Sequence, residues 1–456
     1  METRERPRSS RPLLTVGEAR LPDGRVFRSL LVGLIAIPLL ALPLAGLLAA
    51  VRVEPVDIPA ALERIIDPRT EGERAVAIAQ ARLESAPNDP RAMTVLAGAY
   101  LLRVRETADP TYYTKADGLL HAAGLSLPDD PDVLVASGSL ALSRHDFTAA
   151  LELGRAAVRA APARPAAWGV LADALVELGR YDDAVAAAQR MVDLRPDLAS
   201  LSRVSYLREL HGDLDGAIDA MRRAVAAGAP TSEATAWSEV QLGHLLFAKG
   251  SIDAAAQNYR EAAERVPGYV YATAGLARVR AARGDLAGAA DLYAAAAARL
   301  PVPDFVIALG DIYERLGDRP RAEQQYALVD LMARLLAANG VRVDADLALF
   351  AADHDRNVGA AVAAARAEYA VRPSVHVADI LAWAEYKAAD IASATQHSRE
   401  ALRLGTRDPL MLYRAGVIAQ AAGESGRARE LFEQSYALNP AFSVRWAPDL
   451  AARIGR

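Results

Sequence analysis

The 456-residue chain contains no cysteine. That single absence excludes disulfides, thiolate metal sites and cysteine nucleophiles. Lysine is nearly missing too: Lys115, Lys249 and Lys387 are the only three among 52 basic residues. Arginine carries the rest of the positive charge, a usage that fits a GC-rich bacterial genome rather than a specialised cationic site. Aromatic residues make up only 6%, and the net charge of −5 is not gathered into one block. No basic face or stripe follows the extreme N-terminus, which argues against a nucleic-acid partner. The seven histidines include no pair at zinc-helix spacing. Phosphate-binding loops and Gly-x-Ser-x-Gly elbows are absent as well. Asp353-His354-Asp355 reads as solvated polar residues at a helix boundary rather than as a metal fragment. The sequence therefore predicts no enzyme, no cofactor and no metal site.

Charge is missing altogether over one stretch. From Ser29 to Val51 the chain runs 23 residues without an ionisable side chain. As a helix rising about 1.5 Å per residue, it would be roughly 35 Å long and could cross a bilayer. Pro38 and Pro43 interrupt it, which membrane helices tolerate better than soluble ones. A cleaved signal peptide would have a shorter apolar region and a clear small-x-small site; Ala45–Ala50 offers a poor one. Seven arginines, from Arg4 to Arg28, precede the run and only Arg52 immediately follows it. The positive-inside rule then keeps residues 1–28 cytoplasmic, as a disordered basic leader, with everything after the span outside the cytoplasm.

What is abundant is alanine, and it is phased. Ala116, Ala150, Ala184, Ala217, Ala255, Ala289, Ala322, Ala361, Ala394 and Ala428 recur at intervals close to 34 residues. Gly179, Gly212, Gly250, Gly284, Gly317 and Gly423 each stand five residues before one of them. Prolines such as Pro162, Pro196, Pro267, Pro301, Pro373 and Pro440 close the units. Glycine stops a first helix and proline prevents a second from continuing. The alanines let paired helices approach, while Tyr259, Tyr293, Tyr326 and Phe432 fill the groove to the next unit.

In this phasing, and in the unit Pro165–Leu198 with Trp168, Leu171, Ala172, Gly179, Tyr181, Ala184 and Pro196, the chain resembles the tetratricopeptide repeat family. The resemblance covers about residues 90–442. It implies an all-α fold: a right-handed solenoid of about nine or ten helix pairs, preceded here by one transmembrane helix. Residues 57–89 read as a degenerate first repeat or a cap, with one convincing helix, Glu71 to Ser85, and residues 443–456 as a C-terminal capping helix. About seven extra residues around Arg105–Thr114 read as a surface loop.

The same resemblance implies that first helices line a concave surface. Among its inward positions the candidates are Trp237, His244, Tyr271, Arg278, Asp311, His376, Asp379, Trp383 and Tyr413, beside Phe247, Glu314 and Tyr386. Aromatics interleaved with hydrogen-bonding side chains suit a peptide groove. Two ligand codes of the family are missing: no lysines stand in register for a terminal-carboxylate clamp, and no asparagine ladder is present. The expectation is a membrane-anchored scaffold holding a protein or peptide partner, with the lipid bilayer contacted through residues 29–51. A secreted soluble adaptor and a regulatory subunit of a separate enzyme are the alternatives.

Overall fold

The computed structural model describes residues 70–342 and 344–456. The expected leader, the span at residues 29–51 and residues 57–69 of the first unit lie outside them. Among the described residues no helix is long and apolar enough to cross a membrane.

Local signals write each helix pair. Pro90, Pro131, Pro165, Pro303 and Pro409 open first helices at a position where the missing amide and fixed φ do no harm. Asp213, Asp285 and Asp318, each directly after a turn glycine, cap second helices by accepting the amide three residues on. The helices so defined are α1 Glu71–Ser85, α2 Pro90–Thr107, α3 Thr111–Ser126, α4 Pro131–Ser143, α5 Phe147–Ala160, α6 Pro165–Glu177, α7 Tyr181–Leu194 and α8 Leu198–Leu210. They continue with α9 Leu214–Ala227, α10 Glu233–Ala248, α11 Ile252–Arg265, α12 Val270–Ala282, α13 Leu286–Arg299, α14 Pro303–Arg315 and α15 Arg319–Ala338. The last are α16 Asp344–Asp353, α17 Val358–Val371, α18 Val375–Lys387, α19 Ile391–Ala401, α20 Pro409–Ala421, α21 Ser425–Leu438 and α22 Ala447–Arg453. From α2/α3 to α20/α21 they pack as ten consecutive pairs, with α1 before and α22 after. Residues 71–456 cluster as one compact unit.

All ten phased alanines are between 0 and 3% exposed, so they sit at the helix–helix contacts. Opposite them, a Cβ added to Gly243, Gly310 or Gly416 would fall 2.3–2.5 Å from the ring of Tyr259, Tyr326 or Phe432. The small residue of the first helix thus makes room for the large residue of the second, and no pair buries this face without its partner. The residues around Arg105–Thr114 are not the expected loop. Helix α2 runs on through Thr107, Ala108 closes it in a left-handed conformation, and α3 begins at Thr111. The extra length is absorbed as additional helical turns because the segment offers no turn glycine.

The superhelix also closes on itself. Residues 192 to 197 positions apart meet at one recurring seam. At the α4/α5 turn, His145 Nδ1 bonds the Arg342 carbonyl at 2.7 Å. Near the α6/α7 turn, Glu177 pairs with Arg372, and Tyr181 Oη accepts the Val375 amide at 2.8 Å. At the α8/α9 turn, Thr406 Oγ1 donates to the Leu210 carbonyl at 2.5 Å. At the α10/α11 turn, Asn439 Nδ2 donates to the Phe247 carbonyl at 2.7 Å. Four consecutive first-to-second-helix turns therefore each meet a loop between units from the following superhelical turn, always in the same register. The seam is also why three turn glycines are irreplaceable in two ways. Gly179, Gly212 and Gly250 have φ of +70°, +75° and +78°, and a Cβ there would lie 2.2–2.4 Å from the carbonyl oxygen of Pro373, Gly405 or Leu438.

Candidate functional site

Packing against neighbouring units and the C-terminal segment decides which inward positions stay open. Helices α10, α18 and α20 are buried on nearly every side rather than along one stripe. Of the nine candidates, Asp379, Trp383 and Tyr413 are 7%, 2% and 1% exposed, so they do not line an open groove. Asp379 accepts from Arg414 Nη1 at 2.8 Å, and Trp383 Nε1 donates to Asp353 Oδ1 at 2.8 Å. Tyr413 Oη donates to Asp449 Oδ2 at 2.6 Å. Trp446, just before α22, stacks on Tyr413 with ring centres 5.8 Å apart and meets Trp383 edge-on at 5.5 Å. His376 stacks on Tyr206 of the preceding turn at 6.4 Å.

The more N-terminal residues divide between two places. Trp237, 39% exposed, borders a pocket of about 290 Å³ with Asp173, Val176, Leu198, Arg203 and Tyr206. The Asp173–Arg203 pair at its edge is bidentate, at 2.6 and 2.8 Å. Arg278 and Asp311 meet in a second cleft of about 690 Å³. One wall of that cleft is Phe247, Arg278, Tyr293, Asp311 and Arg315; the other is the C-terminal segment from Pro440 to Ala451. The Arg278 guanidinium lies 4.1 Å over the Phe247 ring, a cation–π contact. Behind it, His244 Nδ1 and the Tyr259 hydroxyl are 2.8 Å apart. Burial, with Arg278 adding to it, holds the His244 imidazole down at about 3, so it is neutral. Tyr271 lies outside this cleft, donating to the Arg105 carbonyl at 3.4 Å, with its hydroxyl pushed up to about 12, mainly by burial.

Asp311 is the hub of a polar cluster. Its Oδ1 accepts from Tyr326 Oη at 2.9 Å and faces His354 Nε2 at 2.8 Å. Tyr326 also reaches Glu314 at 3.3 Å. Burial, followed by the Asp311 carboxylate, drives the Tyr326 hydroxyl well up and keeps it a donor. Ligand atoms of Asp311, Glu314 and His354 lie within 4.8 Å of one another, close enough to hold a cation. Arg445 supplies one: its guanidinium pairs with Glu314 and lies 3.5 Å from Asp311 Oδ1. Burial alone would lower the Arg445 pKa, but these two carboxylates outweigh it and raise it.

Sequence reasoning found Asp311 but missed its partners Arg445 and Trp446, and read His354 as solvated where it is a hydrogen-bonded member of the cluster. The signal available was the aromatic and arginine content of Phe442–Trp446 (FSVRW) beyond the last unit-closing proline.

Two segments match models of the tetratricopeptide repeat, residues 141–209 and residues 240–302. No curated protein matches the chain. Among solved structures, a thermophilic TPR protein of Thermus thermophilus is 23% identical, covering 37% of this chain and 91% of its own, with a TM-score of 0.35. The APC/C hetero-tetramer Cut9–Hcn1 is 14% identical over 85% of this chain and 93% of its own, with a TM-score of 0.36. The human IFIT1 dimer with PPP-AAAA is 13% identical over 81% and 95%, with a TM-score of 0.44. Residues 141–209 and 240–302 thus carry tetratricopeptide repeats, a repeat type that generally mediates protein–protein interaction.

Proposed function

We propose that the chain is a non-catalytic scaffold that holds a protein or peptide partner on the inner surface of its superhelix. The observation that carries this reading is the cleft of about 690 Å³ lined by Phe247, Arg278, Tyr293 and Asp311. Its size and its mix of aromatic walls with a few convergent polar groups suit a ligand segment. Inner-surface binding then centres on Trp237, Arg278 and Asp311, with His244 supporting Arg278 from behind. Tyr271 and His376 lie at the margins, and Asp379, Trp383 and Tyr413 act by holding the wall in place. Crosslinking in cells followed by capture of the full chain tests it. Trp237→Ala with Arg278→Glu should lose the captured partner while leaving helicity intact; unchanged capture would count against the inner surface.

The uncharged run at residues 29–51 and the arginines before it support a single-pass anchor, with residues 57–456 outside the cytoplasm. Resistance to carbonate extraction and degradation by protease applied to intact cells are expected. Recovery in the soluble fraction would favour a released adaptor instead, and protection from protease would reverse the orientation.

A further inference from the structure

We propose that the inner surface recognises an arginine-bearing aromatic peptide, and that Phe442–Trp446 of this chain occupies that site in cis. The proposal rests on the scaffold reading above and specifies its ligand.

The site is assembled by helices remote from the segment that fills it. Asp311 and Glu314 come from α14, Tyr326 from α15 and His354 from the end of α16, while Arg445 is 131 positions beyond Glu314. Tyr326 and His354 orient Asp311 through their own hydrogen bonds, so the acidic pocket is built independently of the guanidinium that enters it. On either side of Arg445 the segment behaves like a docked peptide. Val444 packs against the apolar cluster that contains Leu309, Ile312, Tyr326 and Phe350. Trp446 enters between Trp383 and Tyr413.

The fit is incomplete. The cleft of about 690 Å³ remains between the segment and the wall of α12 and α14. A core element would fill that space. Charge complementarity fixes the class of partner: two carboxylates facing a single arginine select a basic side chain, and the Trp383 and Tyr413 rings select an aromatic neighbour. Tethering gives the cis segment an effective concentration on the order of millimolar, so a partner segment competes only when it binds well or when the C-terminus lifts.

The test uses the full chain and a fluorescent peptide reproducing residues 439–449. Wild type should bind it weakly. A chain carrying R445A and W446A, checked for a cooperative melt and unchanged helicity, should bind it at least about tenfold tighter. Adding D311N and E314Q to that chain should abolish the gain, and so should a peptide lacking its arginine. Equal binding by wild type and the unlatched chain, or a gain that survives D311N and E314Q, would overturn the proposal. Should the unlatched chain fail to fold, hydrogen exchange on wild type decides. Amides of α22 should open ahead of those of α20 and α21; exchange of all three together would make the segment part of the core and sink the idea. Failure of the peptide alongside loss of a captured partner in the Trp237 and Arg278 variant would leave the scaffold reading standing and remove only this one.

Discussion

Replacing Gly212 by alanine should cost the protein far more than the same change at Gly317, although the two residues hold the same place in their units. Both have positive φ, +75° and +81°. An alanine there pays about 1–2 kcal/mol for the left-handed conformation and regains about 0.4–1 kcal/mol from a stiffer unfolded chain. At Gly317 nothing lies within 4 Å of the added Cβ, so the net loss is about 1 kcal/mol by that balance. At Gly212 the Cβ would lie 2.2 Å from the Gly405 carbonyl oxygen, a backbone atom that cannot rotate aside. The seam must part there. Overpacking adds about 1–3 kcal/mol, and loss of the neighbouring Thr406–Leu210 hydrogen bond adds about 1 kcal/mol. Urea denaturation followed by circular dichroism, with midpoint and slope compared across G212A, G317A and wild type, measures the difference. G212A should lose roughly 2–4 kcal/mol more than G317A on these terms. Equal losses would show that the two superhelical turns do not touch.

Ala389 takes the turn-glycine position of its unit with φ of +64° and is exposed, so Ala389→Gly should raise stability by about 1 kcal/mol in the same denaturation assay. Glu209 lies at the seam, where burial, followed by the Asp408 carboxylate, pushes its pKa up from 4.5 to about 7. A carboxyl raised in the fold leaves stability intact below about 4.5 and erodes it as pH climbs towards 7, by at most about 3 kcal/mol. Glu209→Gln should therefore melt higher than wild type at pH 8 and alike at pH 4; a gain independent of pH would contradict this. Arg414, whose side chain is 4% exposed, bridges Asp379 and Asp353. Arg414→Met strands both carboxylates and should cost about 3–5 kcal/mol of thermal or urea stability, whereas Asp379→Asn in the same background should recover part of it.

The repeat was legible because it is local. The alanine at the helix contact, the glycine five residues earlier and the proline at the unit end are short-range signals, and Ala184, Gly179 and Pro196 alone place the boundaries of one unit. The inward stripe was legible only as a direction. The closure of one superhelical turn on the next depends on contacts nearly 200 residues apart, such as Val375 with Tyr181, and no pattern within one unit encodes them. Trp383 and Tyr413 read as groove residues yet lie beneath Trp446, because the segment that covers them follows the last unit and lies outside the repeat pattern. The Arg105–Thr114 segment was misread for a local reason: its length suggested a loop, but without a glycine the helices simply lengthened.

The closed seam joins successive superhelical turns, and the cysteine-free chain makes it easy to interrogate. Cysteines introduced in place of Glu177 and Arg372, whose long side chains meet tip to tip across the seam, stand too far apart for a disulfide but should be joined by a short bis-maleimide, visible as a band of altered migration on denaturing gels and as a raised melting temperature. A closed superhelix predicts near-complete crosslinking of that pair and little for a control pair at Glu177 and Arg427. No crosslink at Glu177 and Arg372 in a chain that remains helical would contradict it.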